Sequence, residues 1–384
     1  MKAHKVTANV MCFCTAAAIL GLLPSIAVSQ QWQIAKIAGE DLMGSFPRIS
    51  DGNVVWQRSV GGDLEIFHYD GSTITQLTDN EVPDYEPDIS GDHVAWYSGD
   101  RSRTDIVYDG TIVMGGVKNQ TDMFLEPGGL IWSAIYPYDR FGISHVYLHD
   151  GSTTKKLSVE STRHNHNPDM SGSNVVWSGF NENGASAYFY DGTSTIELPE
   201  NVGLGQIPKI SSNNIVGIGI DPDEAEDQVF LFDGVTNHQL GHTDGRDTHQ
   251  KIDGQNVAWL SEVNGVYEVF TYENGQAKQL SFNSVKAYAP YVSESFVVWS
   301  ADKGSGYQLY AYDGIKTTFL LDGETRGAVN DASGNSFVWS GKSGAERGVF
   351  VATYVIPEPS TFLLAALGFM LAVSANRSCR DAAI

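Results

Sequence analysis

The side chains best suited to chemistry are two histidines in residues 163–169, where His164 and His166 alternate along the chain. Alternate residues of a β-strand share a face, and two imidazoles on one face can bind a metal ion. A second polar group lies further along the chain and consists of His242, Asp247 and His249. If the fold brought both groups together, they could share a metal ion. The histidines do not recur at regular positions, however, so we favour solvated loop histidines.

A second candidate is the acidic segment at residues 221–227, which contains five carboxylates. Carboxylates are calcium ligands, but the segment lacks the glycine and the final glutamate that an EF-hand loop requires. We predict a solvated acidic hairpin and no cofactor, with weak binding of a divalent cation as the alternative. The sequence also lacks a Gly-x-Ser-x-Gly elbow, a P-loop, a cysteine–histidine zinc pattern and a His-Glu-x-x-His stretch. We therefore predict a protein that is not an enzyme.

The elements that position these residues belong to a repeat. The stretch Pro-Asp-Ile-Ser-Gly-Asp-His-Val-Ala-Trp at residues 87–96 has counterparts at 47–56, 168–177 and 290–299. The positions equivalent to its tryptophan lie 36 to 45 residues apart and are Trp56, Trp96, Trp132, Trp177, Gly217, Trp259, Trp299 and Trp339. Asp-Gly or Asn-Gly turns form a second column with the same period, beginning at Asp70-Gly71. Two columns with one period identify a repeating structural unit.

Each repeat has the pattern of four short strands, and its Asp-Gly pair is typical of a two-residue hairpin turn. A four-stranded unit of about 40 residues that recurs along a chain indicates an all-β protein, a single β-propeller. Eight column positions predict eight blades, with seven as the alternative if the unit at Gly217 or the shortened third unit is degenerate. The last unit lacks a fourth strand, and we expect residues 32–37 to supply it and close the ring. The tryptophans should pack between blades rather than bind sugar.

The connections between successive blades of a propeller lie on one face of the ring. Polar and aromatic residues of several units should therefore meet around the central channel. The candidate binding face that we predict from these connections consists of Asp84, Tyr85, Glu86, His164, His166, His249 and Tyr288.

Both ends of the chain have the patterns of targeting segments. Lys2 and Lys5 precede an apolar run at residues 10–23, and small residues precede Gln30. This order predicts a secretory signal peptide at residues 1–29. The propeller domain would span residues 30–355. The tail, residues 356–384, contains an apolar run at 362–375 that predicts a short transmembrane segment.

Two parts of the chain resemble known families. The Pro-Asp-Ile-Ser-Gly, Val-Ala-Trp and Tyr-Asp-Gly pattern resembles the TolB-type, WD40-like propeller repeat, whose members are binding platforms, assembly scaffolds and occasionally enzymes. The tail resembles the PEP-CTERM sorting signal of Gram-negative bacteria, with a Pro-Glu-Pro motif, a short apolar segment and a basic end. The matching residues are Pro357, Glu358 and Pro359 for the motif, and Arg377 and Arg380 for the cytoplasmic stop. This second resemblance implies recognition and processing by an exosortase during export, often in bacteria that make extracellular polysaccharide.

The formal net charge of −22 argues against nucleic acid or anionic lipid headgroups as partners. We predict an exported, non-enzymatic propeller of the cell envelope or the extracellular space, anchored transiently in the inner membrane by its C-terminus. It would act as a binding or scaffold module. The expected partners are an exosortase and the secretion machinery and, through the resemblance, exopolysaccharide or a surface protein. The alternative is a polysaccharide lyase or hydrolase that uses the histidine-bearing loops.

Overall fold

The structure is a computed structural model of the chain. It describes residues 31–40, 43–100, 103–135, 142–182, 184–199, 204–220, 226–241, 245–282, 286–302, 304, 306–325, 329–343 and 345–355. The predictions for the signal peptide, residues 221–225, His242 and the tail lie outside these residues. Within them, no helix is long and apolar enough to cross a membrane.

Every element of the described residues is a β-strand, in agreement with the predicted all-β class. After β1 (Gln31–Ala38), the first four repeats contain β2 (Ser45–Ser50), β3 (Asn53–Val60), β4 (Asp63–Tyr69), β5 (Ile74–Gln76), β6 (Asp84–Ser90), β7 (His93–Asp100), β8 (Arg103–Tyr108), β9 (Thr111–Glu126), β10 (Gly129–Ile135), β11 (Ser144–His149), β12 (Thr154–Lys156), β13 (His164–Ser171), β14 (Asn174–Asn181), β15 (Gly184–Tyr190) and β16 (Thr195–Glu197). The last four contain β17 (Gln206–Ser211), β18 (Asn214–Ile220), β19 (Asp227–Phe232), β20 (Asn237–Gln239), β21 (Asp247–Asp253), β22 (Asn256–Val263), β23 (Val266–Glu273), β24 (Gln276–Gln279), β25 (Tyr291–Ser293), β26 (Phe296–Asp302), β27 (Tyr307–Tyr312), β28 (Thr317–Thr325), β29 (Asp331–Ser333), β30 (Ser336–Ser343) and β31 (Glu346–Val355).

The repeats fold as four-stranded antiparallel sheets of the propeller type. Five of these sheets are separate, and the second, third and fourth repeats merge into one eleven-stranded sheet. They merge because the long strand β9 pairs with β8 by its first half and with β10 by its second half. A single parallel bridge between Ser144 and His164 joins the third repeat to the fourth.

The N-terminal strand pairs with the last repeat, as the sequence predicted. The strand order of that sheet is β1-β31-β30-β29, so β1 takes the place of the missing fourth strand. Trp32 fixes this strand against three aromatic rings, those of Phe296, Phe337 and Tyr354, at centroid distances of 5.0, 5.4 and 5.1 Å. An otherwise exposed sheet edge is thereby paired.

The tryptophan column lies on the second strand of each repeat and is buried, as predicted. Each tryptophan packs with apolar side chains of the preceding repeat. Trp177, for example, contacts Ile131 and Val146 of the third repeat. The first repeat follows the same rule, since Trp56 belongs to one apolar cluster with Val338 of the last repeat. Seven repeats therefore place a tryptophan at the same position in the layer that they share with the preceding repeat.

The fifth repeat keeps its four strands, β17 to β20, although glycine replaces the tryptophan. Leu204 fills the space, because a Cβ on Gly217 would lie only 2.9 Å from Cδ2 of Leu204. Leu204 packs there with Ile215 and Phe230 in one buried cluster. This repeat, which was a candidate for degeneracy, is preserved by a compensating side chain from the connection that precedes it.

The Asp-Gly turns differ from the expected two-residue type in most repeats. Both turn residues have positive φ only at Asp109-Gly110 and Asn274-Gly275. In the others the loop has four residues, and the aspartate Oδ1 accepts the N–H groups two and three residues later, as Asp70 does from Ser72 and Thr73. The side chain thus replaces part of the turn's backbone hydrogen bonding, so only the glycine needs the left-handed conformation.

Candidate functional site

The connector end of each sheet, where one repeat passes to the next, has an unusual backbone. Five first strands contain a β-bulge, and a residue other than glycine there has positive φ: Phe46, Glu86, Asn167, Ile207 and His249. Side chains of the preceding repeat hold two of these bulges, because Gln57 Oε1 accepts the N–H of Glu86 at 2.6 Å and Ser178 Oγ accepts that of Ile207 at 3.0 Å. Contacts between neighbouring repeats therefore stabilise a conformation that costs free energy locally.

Two members of the predicted binding face need a correction, because they belong to the interior. The carboxylate of Asp84 accepts hydrogen bonds from Trp96 Nε1 at 3.0 Å and from Asn80 Nδ2 at 2.7 Å. The hydroxyl of Tyr85 hydrogen-bonds Thr104 Oγ1 at 2.9 Å. Both side chains are at most 3% exposed. Sequence position placed them at the connector end, but their side chains serve the packing between sheets and are not presented to a ligand.

The histidines of the fourth repeat lie at the connector end. His164 is exposed at the start of β13, whereas His166 is half-buried, with its ring centroid 5.5 Å from that of Phe180. The Nδ1 atom of His166 hydrogen-bonds the side-chain amide of Asn167 at 2.8 Å. In the part of the chain that the structure describes, no three His, Cys, Asp or Glu side chains form a group that could hold a metal. The metal-dependent lyase stays a prediction from the sequence.

Lys286 lies near two other predicted residues, because it contacts the ring of Tyr288 and is within electrostatic range of His249. The ammonium of Lys286 lies 5.5 Å from the centre of the Tyr288 ring. Burial and the charges of Lys251 and Lys286 lower the pKa of His249. Tyr288 packs edge-on against Tyr307 with a centroid distance of 5.0 Å. Its hydroxyl lies 3.4 Å from the carboxylate of Asp302.

Sequence reasoning missed a set of polar residues on the first strands. Eight residues before each position of the tryptophan column lies a first-strand residue that differs from repeat to repeat. This first-strand cluster consists of Arg48, Asp88, Phe124, Asp169, Lys209, Lys251, Tyr291 and Asp331. The signal that could have revealed it is the residue after proline in the Pro-x-Ile-Ser motif. Its variation from copy to copy stands out against the constant tryptophan.

The carboxylates of this cluster join consecutive repeats. Asp88 Oδ2 accepts the N–H of Leu125 at 2.8 Å, and Asp331 Oδ2 accepts that of Ile49, in the first repeat, at 2.9 Å. Asp169 makes the equivalent bond to the fifth repeat. Each carboxylate replaces a hydrogen bond that neighbouring first strands cannot make directly.

Cations complete the first-strand cluster. Lys209 Nζ lies 3.4 Å from Asp169 Oδ1 and 4.3 Å from the centre of the Phe124 ring. Arg48 donates a hydrogen bond to the carbonyl oxygen of Asn330 at 2.9 Å. Lys251 instead lies over the ring of Tyr291, at 5.6 Å. Opposite charges are thus interleaved where the first strands converge.

Desolvation, together with neighbouring charges, shifts the pKa values of several groups of this region toward neutral pH. Burial raises the pKa of Asp88 to about 6. Glu126 is exposed at the end of β9, where desolvation by the surrounding protein and then the charges of Asp169 and Asp88 raise its pKa to about 8. Burial and the nearby charge of Lys209 lower the pKa of Lys251 to about 8. Proton binding at this centre therefore changes within the physiological range.

Comparison with known proteins identifies the tail. Residues 355–378 match the PEP-CTERM protein-sorting motif. The chain carries a PEP-CTERM sorting signal. This signal marks a protein for export and exosortase processing, and its Pro357, Glu358 and Pro359 occupy the start of the matched segment. The comparison with curated proteins gives no significant match.

Solved structures similar to the PEP-CTERM chain are β-propeller domains. The propeller of the trilobed protease from Pyrococcus furiosus has a TM-score of 0.53 at 12% identity, with 75% of this chain and 97% of that one covered. A prolyl endopeptidase has a TM-score of 0.55 at 12% identity, with 82% and 54% covered. A protein described as putative TolB from Agrobacterium tumefaciens has a TM-score of 0.41 at 14% identity, with 65% and 94% covered. The chain thus spans nearly all of the first protein but about half of the endopeptidase, and at these identities the similarity shows the fold alone.

Proposed function

We propose that the protein is an exported, non-enzymatic binding or scaffold module of the cell envelope, built as one closed propeller of eight blades. The sorting signal at residues 355–378 is the observation that carries this proposal, because it assigns the folded domain to the export route. The signal peptide predicted at residues 1–29 agrees with that route. Removal of the tail by an exosortase would leave the propeller as the part that meets a partner.

Contacts between the first strands support the closed ring. Each first strand contacts the first strand of the next repeat, in order from β2 to β25, and β25 contacts β29. The circuit returns to its start, since β29 contacts β2. Eight repeats whose first strands meet in one circuit would surround a central channel lined by the first-strand cluster.

The binding face that we propose is the connector end, with Glu86, His164, His166, His249 and Tyr288 as its predicted members. Bulged backbone, exposed histidines and aromatic side chains occur together there, whereas the Asp-Gly turns at the other end satisfy their own hydrogen bonds. The resemblance of the tail suggests exopolysaccharide or a surface protein as partner.

The proposal is tested by intact mass and cell fractionation of the protein in its host, with and without the exosortase gene. We expect a species outside the inner membrane that lacks the first 29 residues and the segment after the Pro-Glu-Pro motif. Substitution of Glu358 by alanine should block the second cut, whereas substitution of the nearby Thr361 should not. A full-length C-terminus that stays in the inner membrane whether or not the exosortase is present would refute the export route.

A further inference from the structure

A small patch at the connector end of the seventh repeat combines three kinds of chemistry. The Tyr288 patch, as we call it, consists of Lys286, Tyr288, Asp302 and Tyr307, with His249 of the sixth repeat beside it. Backbone hydrogen bonds fix its members, because Asp302 donates its N–H to the carbonyl oxygen of Lys286 at 3.1 Å and Tyr288 donates to Ser300 at 2.8 Å. The patch is therefore held by the sheet rather than by a free loop.

The cation of this patch is available to a ligand. Lys286 is exposed and forms no ion pair with any carboxylate of the described residues; its side chain lies against the Tyr288 ring instead. His249 is also exposed and lies within electrostatic range of Lys286. The chain has 24 basic and 46 acidic residues, so its net charge is negative. An exposed lysine that forms no ion pair and lies near a histidine gives this patch a local positive charge. An anionic group would meet attraction here and repulsion over much of the remaining surface.

The aromatic part of the patch offers flat apolar faces. Tyr288 and Tyr307 meet edge to face, with an interplanar angle of 85°. Phe282, in the connection that leads to this patch, is 78% exposed. Faces of this kind pack against the C–H groups of a sugar ring, whose hydroxyls remain free for hydrogen bonds.

The carboxylate of Asp302 decides between ligand classes. Its Oδ1 accepts the N–H of Gly304 at 2.7 Å, and its Oδ2 accepts a long hydrogen bond from Tyr288 at 3.4 Å and has room for a further donor. A sugar offers several hydroxyl donors to this carboxylate, whereas a peptide C-terminal carboxylate offers none. A ligand that carries one acid group, several hydroxyls and an apolar face matches lysine, aspartate and tyrosine together.

We propose that the Tyr288 patch binds a uronate unit of an acidic oligosaccharide, with the uronate carboxylate on Lys286 and His249 and its hydroxyls on Asp302. This proposal rests on the proposed function in one respect, that the connector end is the binding face. It adds the ligand class and the residues that recognise it.

The test uses the full chain and tri-galacturonate as the probe, with binding followed by isothermal titration calorimetry. We expect binding that weakens as salt is added, and a loss of about tenfold in affinity for Lys286→Ala. The matched control is Lys316→Ala, which removes an exposed lysine of the same repeat at the opposite end of the sheet and should leave the affinity unchanged. Tyr288→Ala should also weaken binding, and Tyr288→Phe should weaken it less because the apolar face remains.

Three results would overturn the proposal: no binding of tri-galacturonate, equal binding of a neutral galactose trimer, or equal losses for the two lysine variants. Preferential binding of a peptide with a free C-terminus would assign the patch to the other class of ligand and overturn it as well. Thermal unfolding of each variant shows whether it is folded. Normal export and tail cleavage with no uronate binding would reject this ligand class alone, and the proposed function would stand.

Discussion

Two equivalent positions of the repeats, one on the second strand and one on the first, differ in how much the residue type varies from repeat to repeat. At the tryptophan column, seven of eight repeats have the same side chain, and each of the seven is at most 7% exposed. Eight residues earlier, the first-strand cluster contains arginine, lysine, aspartate, tyrosine and phenylalanine. The column meets the same packing requirement in each of these seven repeats, so one residue type suffices. The residues of the first-strand cluster contact one another across neighbouring repeats. Each must match the charge and hydrogen bonding of its neighbours, so the residue types differ.

Removing a column side chain should have the largest effect. Trp259→Ala leaves a cavity between the sheets of the fifth and sixth repeats, where Trp259 is fully buried against Val216 and Val229. We expect the free energy of unfolding to fall by about 3–5 kcal/mol, measured by urea denaturation. Trp259→Phe, which keeps most of the volume, should cost clearly less. Equal losses for the two variants would show that packing volume is not what the column supplies.

Breaking one link of the first-strand cluster should cost less. Asp331→Ala removes the acceptor of the Ile49 N–H and a charge next to Arg48, so we expect a loss of about 2 kcal/mol in urea denaturation. Asp331→Asn keeps an acceptor oxygen and should lose less. If Asp331→Ala were as stable as the natural chain, the carboxylate would not join the first and last repeats energetically.

The smallest effect concerns protonation at the centre. Because the pKa of Glu126 is raised to about 8, the folded state binds its proton more tightly than the unfolded state does. Stability should therefore fall as pH rises from about 4.5 to 8. Glu126→Gln should remove part of this decline and be more stable at pH 8, by no more than about 1 kcal/mol, since the carboxyl keeps access to water.

Thermal unfolding between pH 4.5 and pH 8 measures this difference. These pH values stay at or below the pKa of Lys251, which is about 8. At higher pH, deprotonation of Lys251 in the folded state would make stability rise with pH and mask the decline caused by Glu126. Glu346→Gln, an exposed position on β31, is the control and should leave the pH dependence unchanged. An unchanged slope in Glu126→Gln would show that Glu126 does not sense the neighbouring carboxylates.

The sequence by itself determined the repeat, the strand pattern, the buried tryptophans and the pairing of the N-terminal segment. Each of these depends on local periodicity, or on a missing strand that a spare segment can replace, and periodicity is visible in one dimension. The sorting signal was likewise readable, because its motif, apolar segment and basic end are contiguous in the chain.

Only the tertiary structure decided which polar side chains meet. Asp84 and Asp247 occupy the same place before their column tryptophans, yet Asp84 accepts the Nε1–H of Trp96 in its own repeat whereas Asp247 accepts the N–H of Val229 in the preceding repeat. Arg48 and Asp331 lie 283 residues apart and become neighbours only because the last repeat packs against the first. Such contacts join residues of different repeats, and their distances depend on the orientation of whole sheets, which no local pattern specifies.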